Sequence, residues 1–122
     1  MQYFVVENYN GKKAISVREE YKNTLQGKIT LPSKYNGEDI TYIKDFSHMS
    51  QVTHIFFLAD AKYNTVGEYA FYYTSGLTTI DLPASITRIE GYAFARCLDL
   101  TTITLSDNIT YIGTFAFSST ND

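Results

Sequence analysis

The sequence predicts a β-rich solenoid, a stack of short coils closed at its N-terminal end by a β-hairpin. Three observations predict it: a constant repeat step linking Ile43, Val66, Ile89 and Ile112, short β-branched runs in phase with that step, and an Asn-Gly pair joining two such runs near the start. The 122 residues suffice for one domain with a real core. Within that single domain, residues 1–26 form the hairpin cap and its connection, and residues 27–122 form about four repeats of 23–26 residues.

The cap comes first. YFVVEN and KKAISV are strand-like runs joined around Asn10-Gly11, the dipeptide that best suits a two-residue hairpin turn. Their hairpin covers the open core of the first repeat, and Arg18 to Gln26 leads into it.

The repeats follow. From Ile89, equal steps reach Val66 and Ile43 backwards and Ile112 forwards. Each of the last three anchors is followed, at one fixed offset, by Phe71, Phe94 and Phe117, preceded in turn by Ala70, Ala93 and Ala116. A second column holds the pairs Ile29/Leu31, Ile55/Phe57, Ile80/Leu82 and Ile103/Leu105, with Val52, Leu77 and Leu100 three residues before the later isoleucines.

Each unit thus reads L-x-x-I-x-L, proline or a substitute, I-T-x-I, then a segment ending in A-F. The alternating apolar end of L-x-x-I-x-L suits a strand with Ile and Leu pointing inward. Leu-Pro stops that strand, because proline has no amide hydrogen to donate onward. The I-T-x-I segment returns along the other side, and A-F closes the coil with a small residue and a filling ring. One unit cannot cover its own apolar faces, whereas stacked neighbours cover each other.

Early units are less regular, as expected where a stack meets its cap. In the first, Phe46 follows Asp45 rather than alanine, and SKYNGEDI is inserted. In the second, Leu58 replaces proline and ADAKYNTV lengthens the return.

The third unit, Leu77 to Cys97, reads LTTIDLPASITRIEGYAFARC and closely resembles the BspA-like (Treponema pallidum type) leucine-rich repeat. The resemblance extends over about residues 27 to 120. It implies a leucine-rich-repeat solenoid, here a short right-handed horseshoe segment. It also implies an extracellular or cell-surface role in adhesion or recognition, with ligands on the concave strand face.

Composition narrows the function. Hydrophobic residues are 44%, charged residues 19% and the net charge −3, with no Lys/Arg cluster. Nucleic acid is therefore not an expected partner, since phosphate binding needs a basic face. The single cysteine excludes an internal disulfide framework and a cysteine-built metal site. The opening MQYFVVENYNGKK lacks the pattern of a signal peptide, and no window reaches the about 18 apolar residues of a membrane span. Eleven Tyr and eight Phe without Trp fit either strand formation or a contact surface.

Two readings exist for Cys97. Arg88 and Arg96 lie near it in sequence, and cations favour a reactive thiolate. Set in register, however, its column is Met49, Thr74, Cys97 and Thr120, half-buried filler without a base among them. Packing is the expected role. His48 and His54 share no helical face and lack a third ligand, so they read as exposed polar residues without metal. No glycine-rich phosphate loop appears, and Asn108-Ile-Thr falls in the repeat's own motif. No catalytic residue or cofactor is assigned, and the chain reads as a non-enzyme.

What remains is surface. The residues flanking each inward isoleucine point outward: Lys28 and Thr30, His54 and Phe56, Thr79 and Asp81, Thr102 and Thr104. These eight are the candidate ligand face. Phe56 stands out, as either a contact residue or a ring packed beneath SKYNGEDI. Two further outward rows are Tyr69, Tyr92 and Phe115, expected to stack behind the coil, and Tyr42, Arg88 and Tyr111.

Two functions compete on this sequence. One is recognition of a protein or glycan through the strand face. The other is a structural spacer or self-assembling unit, suggested by SSTND following Phe117 without a second cap. On that reading the chain is a fragment of a longer array, or its last coil associates end to end with another copy.

Overall fold

A computed structural model describes residues 1–120; the last two positions of SSTND lie outside the described residues. It is a β-solenoid of two facing sheets. One holds six strands in the order β1 (Phe4–Tyr9), β2 (Lys12–Val17), β6 (Tyr42–Asp45), β8 (Thr65–Val66), β10 (Arg88–Ile89) and β12 (Tyr111–Ile112). The other holds four: β3 (Gly27–Leu31), β7 (Val52–Phe57), β9 (Thr79–Asp81) and β11 (Thr102–Thr104). All pairings are parallel except β1 with β2 and the small hairpin β4 (Lys34–Tyr35) with β5 (Glu38–Asp39).

The repeat step becomes the ladder register. Ile43 pairs with Val66, Val66 with Ile89, and Ile89 with Ile112. On the second sheet Ile29, Ile55, Ile80 and Ile103 form the matching column. Ile15 extends the first column by a rung that the spacing did not reveal, pairing with Ile43. Strand β2 is therefore both half of the hairpin and the first coil's strand.

Between the sheets, Phe46, Phe71 and Phe94 are fully buried, with ring centroids 5.8 and 5.1 Å apart, and Phe117 follows at 5.3 Å. Phe4 of the hairpin meets Phe46 at 5.9 Å, so the cap continues the same stack. Asn10 and Gly11 have φ of 51° and 81°, both in the left-handed region that this tight turn requires.

Threonine in I-T-x-I has a structural reason. The hydroxyl of Thr87 donates to the Asn64 carbonyl at 3.3 Å, and that of Thr110 to the Thr87 carbonyl at 3.2 Å. Each hydroxyl thus adds a bond to the amide ladder between coils. The irregular early units have reasons too. Tyr63, within ADAKYNTV, is fully buried and donates its hydroxyl to the Pro32 carbonyl at 2.6 Å. Asp45, standing in the alanine place, accepts from the buried Lys22 ammonium at 3.0 Å.

Candidate functional site

The four-stranded sheet brings the eight candidate residues onto one face. Lys28 and Thr30 lie on β3, His54 and Phe56 on β7, Thr79 and Asp81 on β9, and Thr102 and Thr104 on β11. Register aligns Lys28 with His54, His54 with Thr79 and Thr79 with Thr102, while Thr30 sits beside Phe56 and Asp81 beside Thr104. Between them the isoleucines of the same strands point into the core.

This face is graded. A cation, Lys28, lies at one edge, an aromatic pair beside it, then Asp81, then uncharged threonines. Phe56 is 41% exposed, and its ring lies against His54 at 6.1 Å, nearly parallel. It is not covered by SKYNGEDI, which folds into the β4–β5 hairpin and buries Ile40 instead. The burial expected as one alternative for Phe56 falls to its neighbour: Phe57 packs against the core and meets Tyr63 at 5.5 Å. The pleat turns successive residues to opposite faces, so only one of Phe56 and Phe57 can be inside.

A second surface lies where the coils close. The Tyr69 and Tyr92 rings stack at 4.9 Å and 2°, and Phe115 follows at 5.4 Å. Backbone geometry is costly here, since Tyr69, Tyr92 and Phe115 have φ of 61°, 58° and 57°. Tyr72 joins at 5.3 Å from Tyr69, and His48 lies edge-on to Tyr72 and Tyr73. The Tyr69 and Tyr92 faces are turned toward one another, whereas Phe115 is tilted by 41° and 59% exposed.

The third row is an electrostatic stripe. The Arg88 guanidinium lies 4.2 Å from the Tyr111 ring centre and bonds Glu90 at 2.7 Å. Its extension was not legible in the repeat: the hairpin adds Tyr9 at 5.2 Å from Tyr42, with Lys44 over Tyr9 and Lys12 over Tyr42. Tyr9 and Lys12 come from the hairpin, outside the period, so no column could have marked them.

Cys97 is fully buried, and its thiol lies 3.0 Å from the Phe71 carbonyl. Thr74, one coil earlier in the same column, donates its hydroxyl to the Phe46 carbonyl at 2.6 Å. Thr74 and Cys97 therefore each tether their coil to the phenylalanine carbonyl of the one before, while Thr120 donates to Phe117 of its own coil. Burial pushes the Cys97 thiol up to about 12, against the small opposing effect of a backbone contact at Thr74. Alkylation of the folded protein at neutral pH should be at least about tenfold slower than that of a free thiol, because thiolate is the nucleophile. Iodoacetamide labelling followed by mass spectrometry measures it; labelling as fast as a free thiol would contradict the packing role.

Among the described residues no helix is long and apolar enough to cross a membrane. The BspA type leucine rich repeat region matches residues 17–122 in six copies, more than the four units that spacing alone resolved. No curated protein matches the sequence significantly. Three solved structures share the fold. The T. pallidum leucine-rich repeat protein is 18% identical with a TM-score of 0.73, over 96% of this chain and 64% of its own. A leucine-rich repeat protein from Bacteroides ovatus is 23% identical with a TM-score of 0.78, over 98% of this chain and 32% of its own. The pneumococcal vaccine antigen PcpA is 17% identical with a TM-score of 0.58, over 98% of this chain and 46% of its own. This chain thus spans from about a third to just under two thirds of the length of these structures.

Proposed function

Because the chain belongs to the BspA-type leucine-rich repeat family, we propose that it is a non-catalytic recognition module of a cell surface, binding a protein through the outward face of its four-stranded sheet. The observation that carries this is Phe56. It stands exposed beside His54, with Lys28 on one neighbouring side and Asp81 on the other. An exposed aromatic flanked by opposite charges is the composition of a contact centre rather than of a solvated sheet. A protein fits better than a glycan, because the exposed Phe56 ring already has one face against His54 and opposite charges on either side of it.

Phe56→Ala combined with Asp81→Lys should weaken binding by about tenfold or more, a loss near 1.4 kcal/mol. Stability should stay within about 0.5 kcal/mol, since both side chains are exposed. An array of extracellular proteins and glycans, read with both forms of the protein, makes the comparison. Equal binding by the two forms would remove the sheet face from consideration.

A second reading, end-to-end association, rests on the last coil. Leu105 and Ile112 are 39% and 50% exposed, while their counterparts Leu82 and Ile89 are 5% and 0% exposed. Sedimentation at rising concentration separates the two readings: a strict monomer disfavours association.

A further inference from the structure

The two sheets end out of step at the hairpin. Each coil places one strand in each sheet, and the first such pair is β2 and β3. Beyond β2 the six-stranded sheet gains β1, but among the described residues no strand lies beyond β3, the edge strand of the four-stranded sheet. At this end one strand position is therefore open, bounded on one side by β3 and on the other by Tyr3 and Phe4, where β1 begins.

Two cavities occupy it. One, of about 370 Å³, lies between Tyr3 and Phe4 on one wall and Leu31, Pro32 and Leu58 on the other. The second, of about 300 Å³, lies between the same two aromatics and Leu25, Lys28 and Ile29. Thr30 borders both, so the cavities follow one another along β3. A strand with a neighbour on one side only also keeps alternate N–H and C=O groups facing the open side.

We infer that this position is a docking groove for an extended peptide segment of a partner protein, which adds to β3 as a fifth strand of that sheet. This is a second surface, separate from the outward face on which the proposed function rests. The pleat dictates the peptide's chemistry. Side chains opposite Ile29 and Leu31 point inward and fill the two apolar cavities, so they are apolar and alternate along the peptide. Side chains opposite Lys28 and Thr30 point outward. Lys28 is the only charged side chain lining either cavity, and among the described residues no carboxylate pairs with it. A carboxylate opposite Lys28 completes the match, which gives an acidic residue next to an apolar-x-apolar triplet.

The test uses the whole chain and two fluorescein-labelled peptides. One contains Glu-Val-Thr-Val for parallel addition, the other Val-Thr-Val-Glu for antiparallel addition. One of them should bind saturably and slow hydrogen exchange at the β3 amides. Lys28→Glu should weaken that peptide by about fivefold and strengthen its Glu→Lys version, since facing charges act directly across paired strands. Lys28 is exposed, so the exchanged charges remain interpretable in a folded protein.

Absence of saturable binding by both peptides overturns the inference. So does binding that is indifferent to the charge exchange, or protection that appears on β11 instead of β3. Protection of β3 that grows with protein concentration alone would assign the groove to a second copy of this chain and equally overturn it.

Discussion

Phe71→Ala is expected to lower the free energy of unfolding by about 3–5 kcal/mol, the range for emptying an aromatic core site. Phe71 is fully buried between Phe46 at 5.8 Å and Phe94 at 5.1 Å. The cost of such a cavity depends on whether the surroundings can collapse into it, and here they are held apart. Backbone bonds from Phe46 to Ala70, from Phe71 to Ala93 and from Phe94 to Ala116 run at 2.6–2.7 Å between coils. These bonds belong to the main chain and survive the substitution, so the coil spacing persists and the hole stays open. The upper part of the range follows.

A domain of this size is typically stable by about 5–15 kcal/mol, so the variant loses a large share of its margin. Phe117→Ala is the internal control. Phe117 is only partly buried, with a stacking partner on one side, and its loss should cost less than that of Phe71. Urea unfolding followed by far-UV circular dichroism measures both. A Phe71→Ala loss below about 1.5 kcal/mol, or a larger loss at Phe117, would show that the phenylalanine stack does not hold the coils together.

The stack was legible in the sequence because every coil repeats one environment. A residue with a fixed role recurs at a fixed step, and Phe71, Phe94 and Phe117 recur at equal intervals. Ile15 obeys the same role but stands farther from Ile43 than one such interval, because the inserted SKYNGEDI, which forms the β4–β5 hairpin, lies between them. Its column membership was hidden by that extra length. Residues that break the pattern, such as Tyr63 and Asp45, were visible as departures. Their partners were not, because Pro32 and Lys22 fill no repeated role.

The outward face was legible in outline for a different reason. Alternation along a strand assigns each residue a side, and that alone groups Lys28, His54, Thr79 and Thr102. Alternation does not say which outward residue an insertion covers. Whether the insertion covers Phe56 depended on where the β4–β5 hairpin lies, which is a long-range packing outcome. The empty strand position beside β3 was beyond reach for the same reason. It arises from counting strands in two sheets, and neither the count nor the sheet membership of β1 can be read from a column.

Asp45→Ala should destabilise the protein by about 1–3 kcal/mol at neutral pH, chiefly by stranding a buried cation. The Lys22 side chain is only 7% exposed, and its ammonium bonds Asp45 at 3.0 Å and the Ser47 hydroxyl at 3.1 Å. Glu19, the other carboxylate nearby, is 3.5 Å away on an 86% exposed side chain and replaces Asp45 poorly. Breaking a fully buried pair costs more than this, but Asp45 itself is 46% exposed and water screens it. Burial alone would raise the Asp45 carboxyl; bonds from the Ser47 hydroxyl and amide and from Lys22 outweigh it and hold the group below its ordinary 3.8. The folded value is thus depressed relative to the unfolded chain. Its stabilising contribution is complete above 3.8 and is lost as the pH falls through the lower folded value. The gap between native protein and Asp45→Ala should therefore be widest near neutral pH and close in strong acid. Lys22→Met, which removes the cation together with its need for a partner, should cost less than Asp45→Ala. Thermal unfolding of the three proteins from neutral pH down into acid tests this, and a gap that stays constant across that range would show that the pair contributes no charge-dependent stability.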